Sequence, residues 1–98
     1  MAQQIIWTSN ARQELFDILE FWNLRNGSTS YSKKLVQKIQ VNLLYISENP
    51  FLGRPTSIDN VRVILVSNYL LFYEVRNDSL YVLSIFDGRR NPDDLSVK

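Results

Sequence analysis

The apolar residues of this chain change their spacing at Pro50, and that change limits the folds open to it. Before Pro50 they recur every three to four residues, which is the period of one face of a helix. After Pro50 the β-branched and aromatic residues concentrate in three short runs, 61–66, 69–76 and 79–86, as is typical of strands. The sequence therefore predicts helices first and a sheet afterwards.

Two helices are expected before Pro50. The first ends at Asn26-Gly27, because these residues adopt the left-handed backbone angles that close a helix. The second ends before Pro50, since proline has no N–H to donate and disfavours helical angles in the residue that precedes it. The short polar turn between them predicts an antiparallel hairpin. Their apolar stripes are Ala11, Leu15, Ile18, Leu19 and Trp22, and then Leu35, Val36, Ile39, Leu43 and Ile46.

Strands and turns account for the remainder of the chain. A first strand is predicted from Gln3 to Trp7, and Thr8-Ser9-Asn10 after it are good N-cap residues. Ser67-Asn68 and Asn77-Asp78 are predicted hairpin turns. The segment from Pro50 to Asn60 has no period and is predicted to be an irregular loop, a place where binding residues concentrate.

This order of elements predicts one α+β domain spanning residues 1–98, with an N-terminal strand and an antiparallel helical hairpin packed on one face of a mainly antiparallel sheet. In the middle strand Leu70 and Phe72 alternate with Tyr69, Leu71 and Tyr73, so both faces of the sheet carry apolar side chains. The face away from the helices therefore needs a cover, which a segment of a partner protein would supply.

The composition excludes several kinds of functional site. The chain has no cysteine, which excludes disulfides and thiolate sites, and no histidine, the commonest metal ligand and proton carrier near neutral pH. The net charge of +1 gives only a weak long-range attraction to nucleic acid. No basic leader or long apolar run is visible, so we expect a cytoplasmic protein that makes no membrane contact. We also expect that it carries no metal or cofactor.

Several short motifs occur in a fixed order along the chain: Asn49-Pro50, Gly53-Arg54-Pro55, Val61-Arg62, the run 69–75 ending in Tyr73-Glu74-Val75, and the run 84–92 from Ser84 to Pro92. This order resembles the RelE/ParE family of type II bacterial toxins, and the resemblance covers nearly the whole chain. It implies growth inhibition, plasmid stabilisation, and neutralisation by a cognate antitoxin. The antitoxin's C-terminal part would wrap the toxin, and its N-terminal part would link the complex to operator DNA.

The family implies one of two targets. RelE-like members cleave messenger RNA on the ribosome, whereas ParE-like members poison DNA gyrase and need no nuclease site. This chain has Leu70 and Asp87 where RelE-like toxins often carry arginine and histidine, no tyrosine after Tyr81, and a loop with Arg54 but no lysine. The sequence therefore favours a ParE-like gyrase inhibitor. A RelE-like endoribonuclease and a non-toxic, antitoxin-binding co-repressor are the alternatives.

Individual residues carry these hypotheses. By the resemblance, a nuclease site would use Arg62 and the arginines Arg89 and Arg90. Glu74 would join this cluster as an acid/base group if the strand ends converge. Contacts with the target or the antitoxin would use Arg54, Arg62, Tyr73, Arg89 and Arg90.

Each of these residues also has a structural interpretation. Glu74 beside Arg76 is more often one half of a charge pair than a catalytic base. For Arg62, an ion pair with Asp59 or Asp87 competes evenly with recognition of a phosphate or carboxylate. The pair Arg89-Arg90 is either a solvated tail or a contact surface.

The lysines of the second helix, Lys33, Lys34 and Lys38, are expected to lie on a solvated face. Under the gyrase hypothesis the helical hairpin is the element that faces the target. The aromatic residues of the first strand and first helix are expected in the core or at the antitoxin interface, because they have the spacing of buried faces. These residues are Trp7, Phe16, Phe21 and Trp22.

Overall fold

A computed structural model describes residues 4–88 and contains two helices and five strands within that range. The strands lie in one sheet in the order β1-β5-β4-β3-β2. The predicted α+β class is therefore confirmed. The elements are β1 Gln4–Trp7, α1 Ser9–Asn26, α2 Ser30–Glu48, β2 Arg54–Pro55, β3 Val61–Val66, β4 Tyr69–Arg76 and β5 Ser79–Asp87.

The sheet is mainly antiparallel, as predicted. Strands β2 to β5 pair antiparallel with their neighbours, whereas β1 pairs parallel to β5, with Gln4 opposite Ser79 and Trp7 opposite Val82. Parallel neighbours cannot be joined by a tight turn, and here the helical hairpin and the remaining strands lie between them in the chain. The register between β4 and β5 shifts between Phe72 and Tyr73, which marks a bulge in β5.

The helix ends follow the capping residues. The Thr8 side chain accepts a hydrogen bond from the Ala11 backbone N–H at 3.1 Å, so α1 begins at Ser9, inside the predicted N-cap segment. It ends where Gly27, at φ 64°, donates to the Asn23 carbonyl at 2.9 Å. Helix α2 begins at Ser30, and its N-cap residue Thr29 makes no side-chain hydrogen bond.

The turns fall where the sequence predicts them. Asn77 and Asp78 both have positive φ, at 50° and 63°, which suits a tight two-residue connection between twisted strands. Ser67 also has positive φ, at 56°. The predicted irregular loop from Pro50 to Asn60 differs in one respect, because it contains the short strand β2, which pairs with Arg62 and Val63 at the edge of β3.

The main core lies between the helices and one face of the sheet. The buried stripe of α2 matches four of its five predicted residues, Leu35, Ile39, Leu43 and Ile46. Helix α1 buries Ala11 completely and packs Leu15, Ile18 and Leu19 of its predicted stripe, partly buried, against the core. The sheet contributes Val66, Tyr69, Leu71, Tyr73, Leu80, Val82 and Ile85.

The opposite face of the sheet is also apolar, as the alternation in β4 predicted. Phe72 and Phe86 are buried there with ring centroids 5.4 Å apart, and Val61 completes the cluster. Leu65 points to the same face, since it pairs with Leu70, but its side chain is 63% exposed. This surface, from Leu65 to the Phe72–Phe86 pair, is called the second sheet face below.

Candidate functional site

The segment between α2 and β3, residues 49–60, is held to the central strand of the sheet by Tyr73. This side chain is 1% exposed. Its hydroxyl donates a hydrogen bond to the Pro50 carbonyl at 2.8 Å and accepts one from the Gly53 backbone N–H at 2.8 Å. A single buried hydroxyl thus satisfies one backbone acceptor and one backbone donor of the segment.

Burial raises the pKa of Tyr73 above its ordinary value of 10.0. The hydrogen bond from Gly53 and the positive charge of Arg62 act in the opposite direction, because both stabilise the phenolate, but burial is the larger effect. Tyr73 is consequently protonated at neutral pH, which is the form that donates to Pro50.

Gly53 is the residue that allows this close approach. A Cβ atom at this position would lie 2.6 Å from the Tyr73 hydroxyl oxygen and 2.8 Å from a ring carbon. Both distances are shorter than real Cβ contacts, so any other side chain would displace the segment or the tyrosine. Glycine is needed here for space.

Arg62 fixes the same segment from β3. Its Nη1 donates to the Gly53 carbonyl at 2.7 Å, and its guanidinium lies 4.9 Å from the centre of the Phe51 ring. Asp59 and Arg62 line one depression of the surface, but the described hydrogen bond of Arg62 goes to a carbonyl and not to the Asp59 carboxylate. Asp87 pairs with Tyr69 between β4 and β5, whereas Arg62 pairs with Tyr73 between β3 and β4. Tyr69 and Tyr73 are four residues apart on β4, so the two pairs are separated by roughly 13 Å along the strand.

The anchored segment borders a depression of about 500 Å³. Phe51 lies at its rim with an exposed ring, and Arg62 and Tyr73 form part of its floor. An aromatic ring beside a guanidinium can stack on a planar group while the remaining guanidinium N–H groups bind a carboxylate or phosphate. The depression therefore suits an anionic or planar group of a partner.

Glu74 does not join this group. Side chains alternate between the faces of a strand, so Tyr73 and its partner Arg62 face the helices, whereas Glu74 and its partner Val61 face the opposite side. The Glu74 carboxylate forms an ion pair with Arg76 at 3.3 Å. This is the charge pair that the sequence favoured over a catalytic base.

The other candidate residues lie elsewhere. Arg54 is exposed in β2, on the edge of the sheet, opposite Val63. Arg89 and Arg90 lie outside the described residues 4–88. Of the four residues considered for a nuclease, the described part of the chain holds Arg62 and Glu74, and it places them on opposite faces of the sheet.

A second set of contacts, which the sequence did not reveal, joins the start of α1 to the bulge in β5. The Glu14 carboxylate oxygen Oε1 accepts hydrogen bonds from the Ser84 hydroxyl at 2.8 Å, the Ile85 backbone N–H at 3.1 Å and the Asn10 side chain at 3.1 Å. Asn10 also donates to the Leu83 carbonyl. Glu14 thus satisfies polar groups that the bulge removes from the regular strand ladder.

Beside Glu14 lies a groove of about 560 Å³ between α1 and the end of β5. Its walls combine aromatic rings with charged groups, and the Trp22 indole N–H donates to the Tyr69 hydroxyl at 2.7 Å. Trp22 therefore has a structural contact at the edge of the core. The groove residues are Glu14, Asp17, Ile18, Phe21, Trp22, Arg25, Tyr69, Ile85, Phe86 and Asp87.

Within residues 4–88 no group of three or more acidic, cysteine or histidine residues is placed to hold a metal ion. In the same part of the chain no helix has both the length and the apolar character needed to cross a bilayer.

A helical hairpin on one face of a five-stranded sheet, with the following segment anchored to the central strand, defines an α+β toxin fold of the RelE/ParE type. The sequence matches the family described as the ParE toxin of the type II toxin–antitoxin system parDE over residues 5–92. This chain belongs to the ParE toxin family. The predicted resemblance, and with it the role of toxin in a type II system, is thereby confirmed.

A solved structure supports the same assignment. The chain is similar to a protein in a structure described as the chromosomal ParDE toxin–antitoxin system from P. aeruginosa, with a TM-score of 0.71 and 25% sequence identity. The match covers 89% of this chain and 96% of that one. A comparison with curated protein sequences gives no match.

Proposed function

We propose that this toxin inhibits DNA gyrase, acts in the cytoplasm and is neutralised by a cognate antitoxin. Membership of the ParE family supports the proposal, and one structural observation carries it. The described polar residues that an RNA-cleaving site would use are either engaged in holding the segment 49–60 or lie on the other face of the sheet. A toxin that blocks its target by binding does not need them to be free.

RNA cleavage needs chemical groups that the described residues do not bring together. A group must take the 2′-hydroxyl proton, and a second must stabilise the phosphate as charge develops. Tyr73 cannot serve as the base at neutral pH, because its raised pKa keeps the hydroxyl protonated and that proton is donated to the Pro50 carbonyl. Glu74 is separated from Arg62 by the sheet itself. Among the candidate residues within 4–88, Arg62 supplies positive charge but cannot transfer the proton.

The ribosome-dependent endoribonuclease remains the second candidate because of one contact. Phe51 is exposed and its ring lies 4.9 Å from the Arg62 guanidinium, an arrangement that would stack an RNA base and hold its phosphate. In the gyrase proposal we add this pair to the target-facing surface, which the sequence placed on the helical hairpin, and the pair would bind a protein carboxylate.

We further propose that the antitoxin covers the second sheet face. An exposed leucine next to a buried aromatic cluster is the pattern of a surface that another chain completes. The antitoxin would also link the complex to operator DNA, since the net charge of this chain gives little attraction to DNA by itself.

The test is expression of the chain in bacteria without antitoxin, together with assays of purified gyrase. Cell filamentation, a DNA-damage response, intact messenger RNA ends and loss of supercoiling by gyrase would support the proposal. Cuts in messenger RNA that require the ribosome would replace it with the nuclease. Normal growth would favour the antitoxin-binding co-repressor.

Variants sharpen this test. Phe51→Ala removes the exposed ring and leaves the anchor at Tyr73 intact, so gyrase inhibition should fall several-fold if the depression contacts gyrase. Arg76→Ala is the matched control, because Arg76 also lies over an aromatic ring, that of Tyr81 at 4.5 Å, but on the opposite sheet face. Equal effects of the two substitutions would contradict a contact at the depression.

A further inference from the structure

The outer face of α2 carries apolar side chains that its place in the fold does not explain. Val41, Leu44 and Tyr45 are 49%, 59% and 62% exposed. Their spacing of three and four residues puts them next to one another on the helix surface. They lie on the side of α2 opposite its buried stripe, which runs through Leu35 and Ile39. A helix on the surface of a monomer ordinarily turns a polar face to solvent there.

Charges flank this apolar centre with opposite sign at its two ends. Lys34 lies seven residues before Val41, and Glu48 lies seven residues after it. Seven residues are close to two helical turns, so all three side chains share one face, about 10 Å apart along the axis. Lys34, Lys38 and Glu48 are exposed. The face is therefore basic at its beginning, apolar in the middle and acidic at its end.

Such a face is complementary to a copy of itself turned through 180°. A two-fold axis at Val41 places Lys34 opposite the partner's Glu48 and, by symmetry, Glu48 opposite the partner's Lys34. Leu44 and Tyr45 then meet the aliphatic stems of the partner's Gln37 and Lys38. A parallel arrangement would instead bring Lys34 against the partner's Lys34.

We propose that the outer face of α2 is a self-association surface, on which a second copy of this chain packs its own α2 antiparallel across a two-fold axis at Val41. A single helix pair buries less than the roughly 1,200–2,000 Å² of a standard stable interface, so the dimer is reversible, with a dissociation constant between about 1 μM and 1 mM. Lys34, one of the three lysines that the sequence predicted on a solvated face, thus acquires an oppositely charged partner.

Charge reversal tests the antiparallel alignment by sedimentation equilibrium of the purified full-length chain. Lys34→Glu and Glu48→Lys each create two like-charge pairs and should weaken association by on the order of tenfold. The double variant Lys34→Glu/Glu48→Lys restores opposite charges and should return to within about threefold of the original constant. Lys33→Glu is the matched control, because Lys33 is a neighbour in sequence that lies about 100° further around the helix.

A second test uses the absence of cysteine from the chain. Val41→Cys puts a single thiol at the two-fold axis and should form a covalent dimer on mild oxidation, whereas Gln40→Cys, about 100° away, should not. All substituted positions are exposed, and an unchanged unfolding midpoint would verify that each variant is folded.

A chain that stays monomeric at about 0.5 mM would overturn the proposal. A double charge reversal no better than the single ones would do the same, as would equal crosslinking at residues 40 and 41. These measurements use neither gyrase nor antitoxin, so their result is independent of the proposed toxin activity.

Discussion

The Tyr73 hydroxyl and the Gly53 backbone nitrogen lie 2.8 Å apart, although the two residues are separated by twenty positions in the chain. This contact, together with the bond from Tyr73 to Pro50, lets the central strand position the segment that carries Phe51. The sheet core therefore positions one side of the candidate depression, even though a loop borders it.

Removing the hydroxyl should destabilise the protein without altering its core. Tyr73→Phe leaves the buried Gly53 N–H and the Pro50 carbonyl without their partner, at an expected cost of about 1–3 kcal/mol in the free energy of unfolding. Urea unfolding measures this cost. Tyr81→Phe on the opposite face is the control and should change stability by less than about 0.5 kcal/mol. Equal costs would show that the hydroxyl does not anchor the segment.

Gly53→Ala should be destabilising for a different reason, the overlap of its Cβ atom with the Tyr73 hydroxyl. We expect a cost of about 1–3 kcal/mol, typical of an overpacked core. In the double variant Gly53→Ala/Tyr73→Phe part of the overlap disappears, so the combined cost should be smaller than the sum by at least about 0.5 kcal/mol.

Gly27→Ala provides the contrast in the same urea experiment. A Cβ atom there meets nothing within 4 Å, and the cost comes only from the positive φ. The stability costs of Gly27→Ala and Tyr73→Phe should add in the double variant. If the costs of Gly53→Ala and Tyr73→Phe were also additive, the steric explanation would be contradicted.

Stability should decline at high pH because of Tyr73. Its folded-state pKa is raised, so the folded protein retains the phenol proton more strongly than the unfolded chain does. The contribution is fully present below the unfolded value of 10.0 and is lost as pH rises through that value to the folded pKa. The stability difference between the natural chain and Tyr73→Phe should therefore shrink above pH 10. A constant difference would rule out this linkage.

The elements that the sequence predicted are those fixed by local chemistry. Helix α2 follows from its apolar stripe and Pro50, and the turn at Asn77-Asp78 follows from residues that tolerate positive φ. Strand β2 is not predictable from the sequence, because two residues are too few to show an alternating pattern. It pairs with β3 in a segment that is held by the hydrogen bond between Gly53 and Tyr73, which lie twenty residues apart. The parallel pairing of β1 with β5 likewise joins residues that are far apart in the sequence.

The candidate site was less predictable than the fold. For Arg62 the sequence leaves an ion pair with Asp59 or Asp87 and recognition of a phosphate or carboxylate equally open. Its described hydrogen bond goes instead to the Gly53 carbonyl, which the folded segment brings within 2.7 Å. Tyr73 was expected to contact a partner, and the structure shows it buried beneath the segment. The contacts of Glu14 could not be predicted, because nothing in the sequence indicates that β5 bulges beside it.

The Glu14 contacts lead to a further stability prediction. Glu14→Ala leaves the fully buried Ser84 hydroxyl and the Ile85 N–H without an acceptor, at an expected cost of about 1–3 kcal/mol. Glu14→Gln keeps an oxygen at the same reach and should recover more than half of that loss. Asp17→Ala on the exposed side of α1 is the control, with an expected change within about 0.5 kcal/mol. Equal losses for the alanine and glutamine variants would point to charge in place of hydrogen bonding.

The second sheet face gives a prediction about the antitoxin that separates binding from toxicity. Leu65→Lys places a charge on the exposed leucine beside the Phe72–Phe86 cluster, and desolvating that charge should weaken antitoxin binding by roughly tenfold to a hundredfold. Calorimetric titration with the antitoxin measures the change, and Leu24→Lys, on an exposed part of α1, is the control. Because the depression at Phe51 is untouched, gyrase inhibition should persist, so cells carrying Leu65→Lys should be poorly rescued by antitoxin. Full rescue with unchanged affinity would place the antitoxin on another surface.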